Sequence, residues 1–280
     1  MKKTSLAKRF IPLSIIIVIL AAGWGLVFAN IKRQSAPTST DQIKGEATIP
    51  TNNETEAEKV ETVDLSNLSM PTLMYHHIRE YSFEKDEIGT QLSVSPSTFA
   101  KQLDDIAQKG YQTTTFSDLA NGNMPAKPII LTFDDGYQNF YDNAFPELKK
   151  RNMKAELNVI TSYVGRDGYV TNDEIIELSE NGIEIGAHTV THPDLSKISE
   201  ESAKKEIFES KSQLENLLGT TIVTFCYPSG KYNDSIEALT KEAGYKFAIT
   251  TENKLSTFNK PFSLQRYRVN RDTNISGYLK

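Results

Sequence analysis

Short apolar and β-branched runs alternate with longer segments of helical spacing from residue 71 onward, and this alternation constrains the fold most strongly. Strands are predicted at 72–75, 112–115, 129–133, 156–160, 183–187, 222–226, 246–250 and 264–269. Helices are predicted between them at 96–109, 141–151, 172–180, 200–218 and 235–243. Repeated strand–helix alternation implies a mostly parallel sheet. The pattern therefore predicts an α/β fold, in which seven or eight strand–helix units close into a distorted barrel rather than an open sheet.

Polar side chains follow several of the predicted strands at the point where each strand ends. His76 follows the first strand, Asp134 and Asp135 follow the third, and His188 follows the fifth. In parallel α/β barrels the reactive residues lie just past the C-terminal ends of the strands. The sequence therefore predicts one site at this end of the barrel, built from segments that are far apart in the chain.

The start of the chain predicts export. An apolar run occupies residues 11–29, and the basic residues ahead of it are Lys2, Lys3, Lys8 and Arg9. A bilayer is crossed by about 20 apolar residues, and basic residues ahead of such a run stay in the cytoplasm. We interpret residues 1–30 as a membrane anchor, with a signal peptide cleaved after Ala29 as the alternative. Either form places the rest of the chain at the extracellular face of the membrane or in the medium.

Residues 31–70 contain no aromatic side chain and are rich in polar residues, which predicts a disordered linker. A short helical stalk over 54–63 is the alternative. The folded domain is then 71–280, long enough for one substantial core. The net charge of −5 and the lack of a basic stripe argue against nucleic acid as a partner. Cys226 is the only cysteine, which excludes an internal disulfide.

Asp135, His188 and His192 form a predicted site for one divalent metal. They offer one oxygen and two nitrogens and leave positions open for water and substrate, as in catalytic zinc sites. Pro193 disfavours helical geometry at His192, so the two histidines are expected to converge from a turn. Zn²⁺ is the metal that this set suits best, although Co²⁺, Ni²⁺ and Mn²⁺ would also bind. Two capping or core histidines at a strand end are the alternative.

Asp134 is the predicted general base. Neighbouring residues at a strand end point to different sides, so Asp135 can bind the metal while Asp134 faces a water whose pKa the metal lowers to about 7. Capping of the turn at Gly136 is the alternative. His76 is the predicted general acid, because histidine can protonate a leaving amine near neutral pH. His77 points to the opposite side of an extended strand and is interpreted as structural.

Two motifs resemble a known family. Thr132-Phe133-Asp134-Asp135-Gly136 and His188-Thr189-Val190-Thr191-His192 are similar to the first two motifs of the polysaccharide deacetylases of carbohydrate esterase family four. In that family the first aspartate is the base, and the second aspartate binds the metal with both histidines. The resemblance assigns the role of base to Asp134 and the role of metal ligand to Asp135, His188 and His192. It also implies that 71–280 is a polysaccharide deacetylase catalytic domain.

The chain departs from the usual family pattern in two places. Cys226 stands where the family usually has an arginine, and no histidine follows His192 to form the usual C-terminal Leu-x-His. Met74-Tyr75-His76 supplies a similar pattern at the start of the domain, as if the barrel were circularly permuted. This arrangement resembles the biofilm-type deacetylases that act on poly-β-1,6-N-acetyl-D-glucosamine.

The segment 264–269 resembles the late arginine segment of those biofilm-type enzymes, which implies that Arg266 orients Asp134. Arg268 falls on the same face of the predicted strand, so the choice between the two arginines stays open. A salt bridge from Arg266 to a helix end is the alternative.

The implied reaction is metal-assisted hydrolysis of an N-acetyl amide. Asp134 deprotonates a water, and His76 protonates the departing amine. The loop Tyr227-Pro228-Ser229 is expected to contact the substrate, with the backbone N–H of Ser229 donating to the oxyanion.

The resemblance favours poly-β-1,6-N-acetylglucosamine as the substrate over peptidoglycan or chitin-like oligomers. The expected partners are this polymer, the cytoplasmic membrane through residues 1–30, and polysaccharide synthesis or export machinery. A non-catalytic glycan-binding domain at the cell surface is the non-enzymatic alternative, and the presence of base, acid and three ligands argues against it. No His-Glu-x-x-His occurs, which argues against a metallopeptidase.

Overall fold

A computed structural model of the protein describes residues 64–280. The predicted anchor at 1–30 and most of the predicted linker lie outside the described residues. Between residues 64 and 280 no helix is both long enough and apolar enough to cross a bilayer.

The described residues form short strands and helices in alternation. The strands are β1 Ser69–Met70, β2 Thr72–Tyr75, β3 His77–Ile78, β4 Ser93–Val94, β5 Gln112–Thr113, β6 Pro128–Phe133, β7 Ala155–Val159, β8 Ile183–Ala187, β9 Thr224–Cys226, β10 Phe247–Ile249, β11 Ser256–Thr257 and β12 Tyr267–Arg268. The helices are α1 Glu87–Gln91, α2 Pro96–Gln108, α3 Phe116–Ala120, α4 Phe145–Lys150, α5 Asn172–Glu180, α6 Glu200–Leu218 and α7 Asp234–Glu242.

The main sheet is parallel throughout and runs in the order β10-β9-β8-β7-β6-β2-β12, with β5 paired to the start of β6. The segment 264–268 contacts both ends of this sheet. Leu264 bridges to Ile249 in β10, and Tyr267 in β12 pairs with Leu73 in β2. The predicted distorted α/β barrel is therefore confirmed, and its last strand lies beside the first long strand, as the permuted arrangement requires.

The two faces of the central strands differ in chemistry. In β6, Leu131 and Phe133 pack outward into the large apolar cluster under the helices. Thr132 and Asp134 alternate with them and point into the barrel, because successive side chains of a strand face opposite sides. Strand β7 repeats the pattern, with Leu157 outside and a polar interior face. The barrel interior is therefore polar at the end where the predicted site lies.

The helix boundaries follow from local signals in the sequence. The Ser95 hydroxyl accepts from the backbone N–H of Thr98 at the start of α2, and Thr171 and Glu174 cap each other's backbone at the start of α5. Helix α6 ends at Gly219, whose φ of 67° is left-handed. The predicted helices 172–180 and 200–218 are confirmed with these bounds.

The predicted helix 141–151 differs from the observed one. The chain is π-helical over Phe140–Ala144 and α-helical only over Phe145–Lys150. Pro146 has no N–H to donate to the carbonyl four residues earlier, so the regular hydrogen-bond ladder is interrupted there. The short elements β1, β3, β4, β11, α1 and α3 were not predicted, because so few residues carry no periodic pattern.

The folded domain begins before Pro71, which corrects the predicted boundary. Ser69 and Met70 pair in antiparallel register with β11, and Met70 is only 2% exposed. Leu65 and Leu68 pack against the same smaller apolar cluster as Met70. These apolar contacts order the segment, although its polar neighbours give it the composition of a linker.

Candidate active site

Asp135, His188 and His192 converge at the C-terminal ends of β6 and β8. The Oδ1 atom of Asp135 lies 3.4 Å from Nε2 of His188 and 3.7 Å from Nε2 of His192. All three ligand atoms lie within 4.8 Å of one another. A tetrahedral metal with bonds of about 2.1 Å separates its ligand atoms by about 3.4 Å. The donor set and its spacing therefore fit a divalent metal.

The backbone of this triad adopts uncommon conformations. Asp135 has a φ of 78° and His192 a φ of 62°, both in the left-handed region that non-glycine residues rarely occupy. The prediction that His192 lies in a turn rather than a helix is confirmed. Such strain persists where the surrounding structure holds it, and it turns the two side chains toward His188.

The ring of His188 is fixed by the neighbouring strand. Its Nδ1 lies 2.7 Å from the backbone carbonyl of Cys226, which can only accept, so Nδ1 carries the proton. This leaves the lone pair of Nε2 directed at Asp135. Hydrogen bonds of this kind set the tautomer and orientation of metal-binding histidines.

The loop between the two histidines is held by Glu206 of α6. The carboxylate of Glu206 accepts from the backbone N–H groups of Val190 and Thr191, both at 2.8 Å, and from the Thr191 hydroxyl at 2.6 Å. The Thr189 hydroxyl accepts from the backbone N–H of His192 at 2.9 Å. The position of His192 therefore depends on a carboxylate that makes no contact with the metal ligands themselves.

Asp134 is buried and bound by a guanidinium. Arg266 donates to its two oxygens at 2.7 Å and 2.8 Å, and Asn158 donates to Oδ1 at 3.0 Å. Burial raises the pKa of Asp134, but the charge and hydrogen bonds of Arg266 outweigh it and hold that pKa well below its usual range. Asp134 is therefore ionised, and Arg266 rather than Arg268 is its partner.

Arg266 is fully buried, and every part of its guanidinium has an acceptor. Nε donates to the carbonyl of Thr250 at 2.9 Å, and Nη1 donates to the Thr132 hydroxyl at 2.9 Å. Nη2 lies 3.5 Å from the thiol sulfur of Cys226. The small Cys226 side chain leaves space at the position where the usual family pattern has an arginine. Arg266, which directly precedes β12, reaches the Cys226 side chain there.

The two adjacent histidines lie in different surroundings. Burial lowers the pKa of His76, and the charges of Asp134 and Asp135 act in the opposite direction, which places His76 beside both carboxylates. His77 stacks on Tyr137 with ring centroids 3.8 Å apart, and its Nδ1 lies 3.0 Å from the Asn139 amide nitrogen. The structure therefore brings His76 to the site and holds His77 against an aromatic neighbour.

Two of the three side chains of the predicted oxyanion loop are buried. Tyr227 is fully buried, donates its hydroxyl to the carbonyl of Phe262 at 3.2 Å and stacks on Tyr232. Pro228 is also buried, whereas Ser229 is exposed with a left-handed φ of 53°. The predicted contact of this loop with the substrate stays a prediction, and among its three residues Ser229 is the exposed one.

The sequence analysis missed three half-buried tyrosines, of which Tyr137 and Tyr169 lie near Asp135 and Tyr163 packs against Tyr169. The rings of Tyr137 and Tyr169 have centroids 5.2 Å apart, and those of Tyr169 and Tyr163 are 4.9 Å apart. Burial and then the charge of Asp135 raise the pKa of Tyr137, which places this ring next to the metal ligand. We call Tyr137, Tyr163 and Tyr169 the tyrosine wall. Only Tyr137, which follows Asp-Asp-Gly, has a sequence signal.

The fold and the site together define a class of protein. A parallel α/β barrel carries, at the C-terminal ends of its strands, a buried ionised carboxylate beside a carboxylate and two imidazoles at metal-binding distance. This is the arrangement of a hydrolase that activates water.

Comparisons with known proteins identify the family. A sequence profile of the polysaccharide deacetylases matches residues 121–248. The deacetylase PplD of Streptococcus pyogenes, solved in complex with acetate, is 32% identical, with a TM-score of 0.72 over 76% of this chain and 99% of that chain. A polysaccharide deacetylase of Bacillus cereus is 29% identical, with a TM-score of 0.68 over 76% of this chain and 70% of that chain.

A third relative is the poly-beta-1,6-N-acetyl-D-glucosamine N-deacetylase of Staphylococcus aureus strain MRSA252. It is 27% identical over 213 residues, which cover 67% of this chain and 73% of that protein. The chain belongs to the polysaccharide deacetylase family, and the predicted deacetylase identity is confirmed.

Replacement of Glu206 by alanine should weaken metal binding without removing a ligand. Loss of its hydrogen bonds frees the loop that carries His192, and outer partners of this kind typically change metal affinity about 10- to 100-fold. Zinc affinity, measured by competition with a chelator, tests this. Glu201→Ala, at an exposed position on the same helix, is the matched control. Equal zinc affinity of both variants would show that Glu206 does not hold the site.

Proposed function

We propose that this protein removes N-acetyl groups from N-acetylglucosamine units of an extracellular polysaccharide, with poly-β-1,6-N-acetylglucosamine as the preferred substrate. The observation that carries the proposal is the ionised Asp134, held by Arg266 beside the triad of Asp135, His188 and His192. A fixed carboxylate next to a metal-type ligand set is what hydrolysis of an unactivated amide requires.

The metal site has a defined part in this proposal. A divalent metal held by Asp135, His188 and His192 would polarise the acetamide carbonyl and lower the pKa of water. One carboxylate and two imidazoles suit Zn²⁺ best, and Co²⁺, Ni²⁺ or Mn²⁺ would also bind such a set.

Asp134 takes the proton of the attacking water. Its carboxylate is charged at rest and cannot rotate, because both oxygens are bound by Arg266. General bases in such positions contribute typically about 10²- to 10⁴-fold in rate, provided that they are positioned before the reaction begins.

His76 protonates the departing amine. It lies beside both aspartates and makes no hydrogen bond with the other described residues, so its ring is available to the substrate. The exposed, left-handed Ser229 supports a donor role for its backbone N–H at the oxyanion, where one such donor contributes about 3 kcal/mol.

Two observations support a glycan polymer as the substrate. The tyrosine wall begins at Tyr137 near Asp135 and continues through Tyr169 to Tyr163, which offers aromatic surface on which the apolar face of a sugar ring can pack. The printed name of the S. aureus relative specifies the β-1,6-linked polymer for that protein. Peptidoglycan is the second candidate substrate.

Location and partners belong to the same proposal. The basic and apolar segment at 1–30 supports an anchored protein at the extracellular face of the cytoplasmic membrane, or a secreted one after cleavage at Ala29. Such a location gives access to a polymer leaving the cell, and thus to synthesis or export machinery.

Asp134→Asn should retain zinc affinity and lose acetate release by about 10²- to 10⁴-fold. The amide keeps the size of the side chain but cannot accept the proton. Acetate is measured enzymatically, and zinc binding is measured on the same samples. Asp167→Asn, in an exposed loop, is the control. Wild-type activity of Asp134→Asn would show that another group is the base.

Acetate release from the purified β-1,6-linked polymer should exceed release from peptidoglycan several-fold at equal N-acetyl content. A chelator should abolish release from both, and zinc should restore it. Faster release from peptidoglycan would make that polymer the substrate. No release from either, at full zinc occupancy, would contradict the proposed reaction.

Tyr169→Ala should raise KM for the polymer about 2- to 10-fold, which corresponds to the loss of one aromatic contact. Zinc affinity should stay at the wild-type value, because Tyr169 is not among the three predicted ligands. Tyr141→Ala, which removes a tyrosine hydrogen-bonded to Glu177 away from the site, is the control. An unchanged KM for Tyr169→Ala would show that the tyrosine wall does not bind the polymer.

A further inference from the structure

The two oxygens of Asp134 are bound unequally. Oδ1 accepts from Nη1 of Arg266 at 2.7 Å and from Nδ2 of Asn158 at 3.0 Å. Among residues 64–280, Oδ2 accepts a hydrogen bond only from Nη2 of Arg266, at 2.8 Å. Each carboxylate oxygen has about two lone-pair sites, so Oδ1 is filled and Oδ2 keeps one free.

We infer that Asn158 is a positioning residue, which occupies Oδ1 and makes Oδ2 the oxygen of Asp134 that takes the proton from water. This inference rests on the proposed function, because it assigns the oxygen through which the proposed base acts. It adds a residue on β7, which lies outside the motifs that carry the family resemblance.

Asn158 lies within strand β7, and the strand itself places its side chain beside Asp134. Leu157 and Val159 point outward into the apolar cluster, so Asn158 between them points into the barrel. It pairs in parallel register with Gly186 of β8. A Cβ atom at position 186 would lie only 2.3 Å from Oδ1 of Asn158, so the amide occupies space that only glycine leaves open.

The contacts of the amide favour a role in orienting Asp134 over a role in packing. Asn158 is fully buried, and its Nδ2 donates to a carboxylate, which can only accept. Its own Oδ1 has no hydrogen-bond partner among the described residues. A buried acceptor left unpaired is unfavourable for stability. The bond to Asp134 is thus the interaction that distinguishes asparagine from an apolar residue of similar size.

The test compares Asn158→Ala and Asn158→Leu with the wild-type protein. Leucine keeps the number and branching of the side-chain heavy atoms of asparagine and removes the donor, so it serves where the alanine variant folds poorly. We expect kcat to fall roughly 10- to 100-fold in both, as for loss of a hydrogen bond to a charged group. KM and zinc affinity should stay unchanged, because Asn158 contacts neither the ligands nor the tyrosine wall.

Glu156→Gln is the matched control. Glu156 lies two residues earlier on the same inner face of β7, and burial and then the charge of Glu184 raise its pKa well above the usual range. Glutamine has the shape of the neutral acid, so kcat should stay at the wild-type value.

Two outcomes would overturn the inference. One is wild-type kcat in both Asn158 variants. The other is a loss of kcat that only follows a lower zinc affinity or melting temperature, which would indicate a structural role. Asp134→Asn, assayed in parallel, distinguishes a failure of the proposed role of Asn158 from a failure of the proposed role of Asp134. If it is inactive while the Asn158 variants are fully active, the proposed base stands and the role of Asn158 fails. If it is fully active, another group is the base, whereas no acetate release by the wild-type protein at full zinc occupancy would contradict the proposed function itself.

Discussion

The buried ion pair between Asp134 and Arg266 connects the fold of this deacetylase to its site. Arg266 belongs to the segment 264–268, which contacts both β10 and β2, so the partner of the proposed base lies in the part of the chain that closes the barrel. Removal of one partner of a buried pair costs about 3–5 kcal/mol, because the other charge stays behind without compensation. Closure of the barrel and orientation of the base therefore depend on one interaction.

The polar interior of the barrel is what makes this pair possible. Thr132 and Thr250 supply further acceptors to Arg266, and Asn158 supplies a donor to Asp134. The opposite face of the same strands is apolar and packs under the helices. One face of this parallel sheet therefore packs in the apolar core, and the other face carries the polar groups of the site. Left-handed residues at the strand ends then turn Asp135 and His192 toward a common point.

Several elements could be predicted because their signals are local. Helices α5 and α6 follow from periodicity and from capping residues such as Thr171. Asp135, His188 and His192 follow from spacing and from the rule that strand ends meet in a barrel. Asn158 could have been found, since Glu156 and Asn158 place two polar residues on one face of a predicted buried strand. Glu206 could not, because nothing in an amphipathic helix marks one carboxylate as a partner of a distant loop.

The sequence alone determined the parallel α/β barrel and the metal-type ligand set, and it predicted Asp134 as the base, since strand periodicity, helix caps and motif spacing are local properties. The tertiary structure decided between Arg266 and Arg268 and separated His76 from His77. It also showed that the side chain of Tyr227 is buried, moved the start of the domain ahead of Pro71, and brought Asn158 to the carboxylate of Asp134. Each of these choices depends on which distant strand a side chain faces, and that is settled only when the barrel closes and its interior is packed.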